Sequence, residues 1–144
     1  MLGELNKDEI ETVLRSQMIG RIGCHAEGRT YVVPITYAYD GECIYGHSAD
    51  GLKIRTMRAN PEVCFEVEHI AEMAHWRSVV AWGRFEELAG PDEERAMKLL
   101  KLRFASHHTS ETALPPHGFG NVAKRRAIYF RIRPTEKSGR YEKH

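Results

Sequence analysis

The residues best suited to chemistry stand close together, in the stretch IYGHSADGLKIRTMRANP at positions 44–61. His47 is of the one residue type whose ordinary titration falls near neutral pH. Ser48 offers a hydroxyl, and Lys53 a compact ammonium with three donors. Ile44 and Tyr45 are strand formers, residues 47–51 suit a loop, residues 52–59 read as a helix, and Asn60-Pro61 stops it. Ser48 and Lys53 therefore flank a helix start, where unpaired backbone N–H groups and the helix dipole favour an anion. Arg55 and Arg58 add positive charge. The functional reading is a phosphate site for a nucleotide-type cofactor. The competing reading is a solvated basic helix with Asp50 as its N-cap.

The rest of the chain must position this stretch. Residues 6–16 read as a helix, with Asn6 as N-cap, Glu9 completing a capping box, and Leu5 and Ile10 placed as a hydrophobic staple. Residues 18–25 and 30–39 read as two strands joined by a turn at Glu27-Gly28. Pro34 inside the second argues for an edge position, a bulge or irregular pairing. Asp40-Gly41 signals a hairpin, with residues 42–47 as the return strand. Residues 62–69 alternate, with Val63, Phe65 and Val67 on one side and Cys64, Glu66 and Glu68 on the other. Glu66 reads as a solvent-facing charge. Residues 76–88 form a long strand with a bend or bulge at Gly83.

Gly90-Pro91 opens a further helix, with acidic residues in its first turn. Residues 106–124 read as a long loop, residues 127–133 as a final strand, and the charged tail to His144 as mobile. The sum is a mainly β (α+β) fold: six antiparallel strands, closing into a barrel so that edges are not exposed, with flanking helices.

Composition narrows the function classes. The chain has 144 residues, 42% hydrophobic and 28% charged, with a net charge of +1, so residues 1–144 are expected to form a single soluble domain. Near-neutral charge argues against nucleic acid as a partner, with Lys53-Arg55-Arg58 and Arg125-Arg126 the only basic clusters. No apolar run approaches a membrane span, and the start MLGELNKDEI lacks signal-peptide character, so the expected compartment is the cytoplasm. Cys24, Cys43 and Cys64 fit reduced thiols better than a disulfide framework. No CxxC pair or HExxH motif supports a metal site, and Ser48 and Ser78 lack a nucleophile elbow. Trp76, Trp82, Tyr37 and Tyr39 read as core or interface residues.

The ordered set of motifs resembles the FMN-binding split-barrel superfamily, the pyridoxamine 5'-phosphate oxidase-like proteins, and especially the branch with nitroimidazole-resistance-type flavoproteins. The matching pieces are the N-terminal helix, Ile19-Gly20-Arg21-Ile22-Gly23, Val33-Pro34-Ile35-Thr36-Tyr37 and Ile44-Tyr45-Gly46-His47-Ser48-Ala49. Gly51-Leu52-Lys53, Asn60-Pro61 and Trp76-Arg77-Ser78-Val79 follow in order.

This resemblance implies a six-stranded split β-barrel and a homodimer with two FMN sites between the subunits. It implies Lys53 and Ser48 at the phosphate, and Pro34, Ile35, Thr36 and Tyr37 along the isoalloxazine ring and ribityl chain. It further implies Ser78 and Val79 approaching from a neighbouring strand, and His47 near the flavin or a small-molecule substrate in a catalytic role. The arginine- and lysine-rich substrate signature of a true pyridoxamine phosphate oxidase is not seen. Two function classes follow: an FMN-dependent oxidoreductase, or a carrier of flavin or haem without turnover, with His47, His69, His75 and His107 as candidate iron ligands.

Overall fold

Asn6 caps the first helix as its type and spacing require. Its Oδ1 accepts from the Glu9 amide at 2.9 Å while Glu9 Oε1 accepts from the Asn6 amide at 2.8 Å. The structure, a computed structural model, describes residues 1–105 and 127–144. The expected loop at 106–124, His107 and the Arg125-Arg126 pair lie outside the described residues.

The elements in chain order are β1 (Leu2–Glu4), α1 (Lys7–Ser16), β2 (Ile19–Ala26), β3 (Arg29–Thr36), β4 (Ala38–Tyr39) and β5 (Ile44–Ser48). Then come α2 (Leu52–Ala59), β6 (Glu62–Glu72), β7 (His75–Glu87), α3 (Pro91–Phe104) and β8 (Ile128–Lys143). The strands form one antiparallel sheet in the order β3-β2-β6-β7-β8-β5-β4, with β1 on β8. The two ends of that path, β3 and β4, are halves of one segment interrupted at Tyr37, so the sheet curls back towards itself. This is the split-barrel architecture expected, with eight strands among the described residues rather than six.

The two extra strands have different origins. β4 is the end of the expected strand at 30–39, separated where Tyr37 turns inward and its amide donates to the Met18 carbonyl at 3.0 Å. β1 is new, and it goes with a correction to the tail. Residues 134–143 are not mobile: they continue β8, pairing with β7 from Pro134 to Lys143 and with β1 from Arg140 to Glu142. The charged side chains there stand on a strand paired with β7 along its length and also with β1 at residues 140–142, and Gly139 packs under Leu5 and Ile10. The register shifts at Trp82/Gly83, the site of the expected bulge.

Two apolar clusters hold the sheet. One fills the barrel and the face under α1, with Leu14, Ile22, Tyr37, Phe65, Val67, Val79 and Phe130 buried in it. The other lies between α3 and the β4-β5-β8 surface, built from Ala38, Tyr45, Ala96, Leu100, Phe104 and Tyr129. Burial of aliphatic and aromatic side chains on this scale, at ~1.5–3 kcal/mol each, is what offsets the chain entropy.

Candidate functional site

The rim formed by β5, the loop at 49–51 and α2 carries His47, Ser48 and Lys53. Gly46 lets β5 lie close to Phe130: a Cβ there would stand 2.7 Å from the ring's Cζ. The chain then turns over residues 49–51 and enters α2 at Gly51, the N-cap, which is extended and contributes no side-chain hydrogen bond. Asp50 is therefore not the N-cap. Its carboxylate pairs instead with Arg58 Nη1 at 3.3 Å, and Arg58 also holds Glu87 through Nε at 2.7 Å. The first amides of α2 thus have no side-chain acceptor, the condition in which a helix start attracts an anion.

Lys53 and His47 share this rim. Lys53 is half-buried, and burial lowers its pKa, while the Cys24 thiol opposes that shift. Among the described residues no carboxylate pairs with it. His47 lies beside Tyr129, ring centroids 5.7 Å apart and tilted by 55°. Burial, and then the charge of Lys53, pushes its imidazole down to about 4, so it is neutral at pH 7. Ser48 turns its hydroxyl to the Ala49 carbonyl at 2.8 Å.

The other expected residues lie elsewhere. Pro34 and Thr36 face outward on β3, and Ser78 stands half-buried on β7. Ile35 and Tyr37 turn inward. The Tyr37 hydroxyl donates to the Leu14 carbonyl at 2.7 Å and its ring meets Phe65 edge-on, so its side chain is spent within the core. Val79 is likewise fully buried in the barrel. Six of the nine residues therefore fall into two groups within one chain, His47, Ser48 and Lys53 on the β5–α2 rim and Pro34, Thr36 and Ser78 on the outer face of β3-β2-β6-β7, while Ile35, Tyr37 and Val79 face the barrel core. Of the expected haem ligands, His69 and His75 are exposed on β6 and β7, away from His47 on β5. Among the described residues no three His, Cys, Asp or Glu side chains come together as a metal set.

One cluster on the outer face escaped the sequence reading. Glu66 is not a free solvent-facing charge. Arg21 Nη1 lies 2.8 Å from Glu68 Oε2 and 3.5 Å from Glu66 Oε1, so two carboxylates share one guanidinium. Burial, then the hydrogen bond and charge of Glu68, raise Glu66 to about 7 against the pull of Arg21. The i, i+2 spacing placed both acids on one face, but only the β2–β6 register, with Arg21 opposite Glu66, brings the arginine between them. Around the cluster the same face exposes Ile19, Val32 and Trp82, at 57%, 63% and 42% of their surface.

The sheet order, the Tyr37 break and the rim together define a split barrel, and comparison with known proteins agrees. The sequence profile of the family described as pyridoxamine 5'-phosphate oxidase matches residues 6–141, and the chain belongs to that family. A crystal structure of a FAD-binding protein from Mesorhizobium loti superposes with a TM-score of 0.83 at 30% identity, covering 100% of this chain and 98% of that one. A candidate 5-nitroimidazole antibiotic resistance protein from Bacteroides thetaiotaomicron gives a TM-score of 0.73 at 20% identity, covering 98% and 87%. An uncharacterized protein of Rhizobium meliloti (strain 1021) is 37% identical over 84 residues, 58% of this chain. That match spans 56% of the relative's own length. Among the described residues no helix is long and apolar enough to cross a membrane.

Proposed function

We propose that this protein is an FMN-binding flavoprotein that acts as an oxidoreductase on a small molecule. The observation that carries the reading is Lys53. A half-buried ammonium with no carboxylate partner among the described residues, beside uncapped helix amides, is a poor arrangement for a solvated basic helix. It suits a phosphate, which supplies the missing charge and accepts the free N–H donors. Family membership and the FAD-binding relative favour flavin as the owner of that phosphate. A bound flavin supplies redox chemistry that no side chain here provides. The protein's part is to hold the phosphate at Lys53 and to present backbone and side chains of β3 and β7 to the ring.

The two-group layout favours a homodimer. Pro34, Thr36 and Ser78 stand on an outer face with exposed Ile19, Val32 and Trp82, separate from the Lys53 rim. A second copy docked on that face would bring one subunit's rim towards the other's open face. The free state of Cys24, Cys43 and Cys64 suits a reducing compartment such as the cytoplasm.

The absorption spectrum of the purified protein tests the reading. A flavin spectrum, with FMN released on denaturation, is the expected result. Release of FAD moves the cofactor to the dinucleotide, and a Soret band moves it to haem. Turnover of a reduced nicotinamide with an artificial acceptor then separates an enzyme from a carrier.

A further inference from the structure

We propose that the flavin ring binds on the outer face of β2 and β6, with its apolar end in a slot between Val32 and Trp82 and its hydrogen-bonding edge at Arg21 and a protonated Glu66. The proposal rests on the flavin reading above and assigns that site a ring pocket and a proton linkage.

Two neighbouring rows of side chains make the site. Residues paired across antiparallel strands share a face. One row crosses β3, β2, β6 and β7 as Val32, Gly23, Cys64 and Trp82. Its two ends are large and exposed, and its middle is small. A Cβ on Gly23 would stand 2.8 Å from the Cys64 sulfur, so the middle stays low. The result is a groove of about 570 Å³, a size that holds small ligands. The next row along the same strands is Pro34, Arg21, Glu66 and Val80, polar at its centre. An apolar slot beside a hydrogen-bonding row matches a flat ring that is hydrocarbon at one end and carries carbonyl and nitrogen acceptors at the other. A flavin ring is built that way. A ligand laid along β3 that also reaches Ser78 on β7 must cross β2 and β6, and so lies over these rows.

The polar row has donors to spare. Arg21 spends Nη1 on Glu68 at 2.8 Å and on Glu66 at 3.5 Å. Among the described residues its Nε and Nη2 have no acceptor, which leaves them for a ring carbonyl. Two carboxylates on one guanidinium leave one negative charge over, and a ring laid on them removes the water that screens it. A proton on Glu66 cancels that excess and makes the carboxyl a donor to a ring acceptor. The groups around Glu66 allow this. Arg21 faces it from β2, and Glu68 and Cys64 stand beside it on β6. β7 presents Val80 and Ser78, β3 presents Pro34, and β8, beyond β7, presents Ser138 and Arg140. Burial, then the hydrogen bond and charge of Glu68, already raise Glu66 to about 7 against the pull of Arg21. Covering by a neutral ring acts in the same direction, so binding draws a proton in at and above neutral pH.

Riboflavin, which has the ring and no phosphate, decides this when titrated at pH 6 and pH 8 into wild-type and Glu66→Gln protein freed of flavin. Wild type should bind it more weakly at pH 8, by up to about tenfold, while Glu66→Gln binds it equally at both. In wild type with isotope-labelled glutamate carboxyls, the Glu66 resonance is assigned by its loss in Glu66→Gln. At pH 8 it should move from its ionised to its protonated position when riboflavin is added. Equal affinity at both pH values in wild type, the same fall in Glu66→Gln, or an ionised Glu66 in the complex overturns the proposal and leaves the flavin reading standing. Binding of FMN without binding of riboflavin places the affinity in the phosphate alone and also overturns it. If neither flavin binds wild type, the flavin reading falls and the proposal falls with it.

Discussion

Arg21 and Glu68 face each other on the outer surface of the sheet, Nη1 to Oε2 at 2.8 Å, and Glu66 shares the same guanidinium nitrogen at 3.5 Å. The consequence is a pH dependence with a definite sign. The fold raises Glu66 from its ordinary 4.5 to about 7, so folding favours the protonated form. That contribution is fully present below pH 4.5 and is lost as pH rises towards 7. Glu66→Gln, which cannot ionise, should raise Tm relative to wild type at pH 8 and lose that advantage at pH 5. Thermal unfolding at both values checks it, and an equal difference at both would contradict the assignment.

Lys53→Ala should weaken FMN by about tenfold to a hundredfold, the range expected for one charged hydrogen bond of ~1.5–3 kcal/mol. Riboflavin, which lacks the phosphate, should scarcely change. Lys53→Arg should fall between, because the charge survives while reach and shape differ. Equal weakening of both flavins in Lys53→Ala places the phosphate elsewhere on the rim.

Trp82→Glu should yield a monomer. The side chain stands exposed at the β7 bulge, beside Cys64 on β6, and is the largest apolar group of the open face. Light scattering should read twice 16.5 kDa for wild type and 16.5 kDa for the variant. A wild-type monomer with flavin bound removes the two-copy site.

Gly83→Ala should destabilise strongly. A Cβ at the bulge collides with the backbone carbonyl of Arg133 on β8, and backbone cannot swing aside as a side chain can. Denaturant unfolding should show a loss on the order of 1–3 kcal/mol, the usual cost of overpacking. A variant as stable as wild type shows that the two strands separate there at little cost.

Removing residues 135–144 should abolish the cooperative transition rather than trim a loose end. The segment pairs with both β7 and β1, and Gly139 seats Leu5 and Ile10. Circular dichroism of the truncated chain during heating is the measurement.

Local signals were the legible ones. Asn6 and Glu9 announce their capping box because both partners lie within one turn. Val63, Phe65 and Val67 announce their inward face because a strand alternates. The tail was misread for the opposite reason. Its residues carry charge and no alternation, and what makes them a strand is a partner more than fifty positions away on β7 and another at the start of the chain. The same limit hid Arg21 from Glu66 and Glu68, forty-five and forty-seven positions apart. Asp50 looked like a cap by type, yet Arg58 eight residues on claims its carboxylate and Gly51 takes the position. At the rim, His47, Ser48 and Lys53 lie within seven residues, so their neighbourhood was legible; the inward turns of Tyr37 and Val79 depended on register.

Pro34 has a consequence for how copies of this chain meet. It sits on β3, a strand that pairs only with β2 among the described residues and so leaves one edge open. An open edge is a template on which strand after strand can add, the geometry of fibres. Proline has no N–H to donate and interrupts that template two residues from its end. Growth along the hydrogen-bonding direction is thereby discouraged, and contact through the faces of the sheet is left as the easier course. Face-to-face contact can close on itself about a two-fold axis, which makes a finite pair rather than a filament.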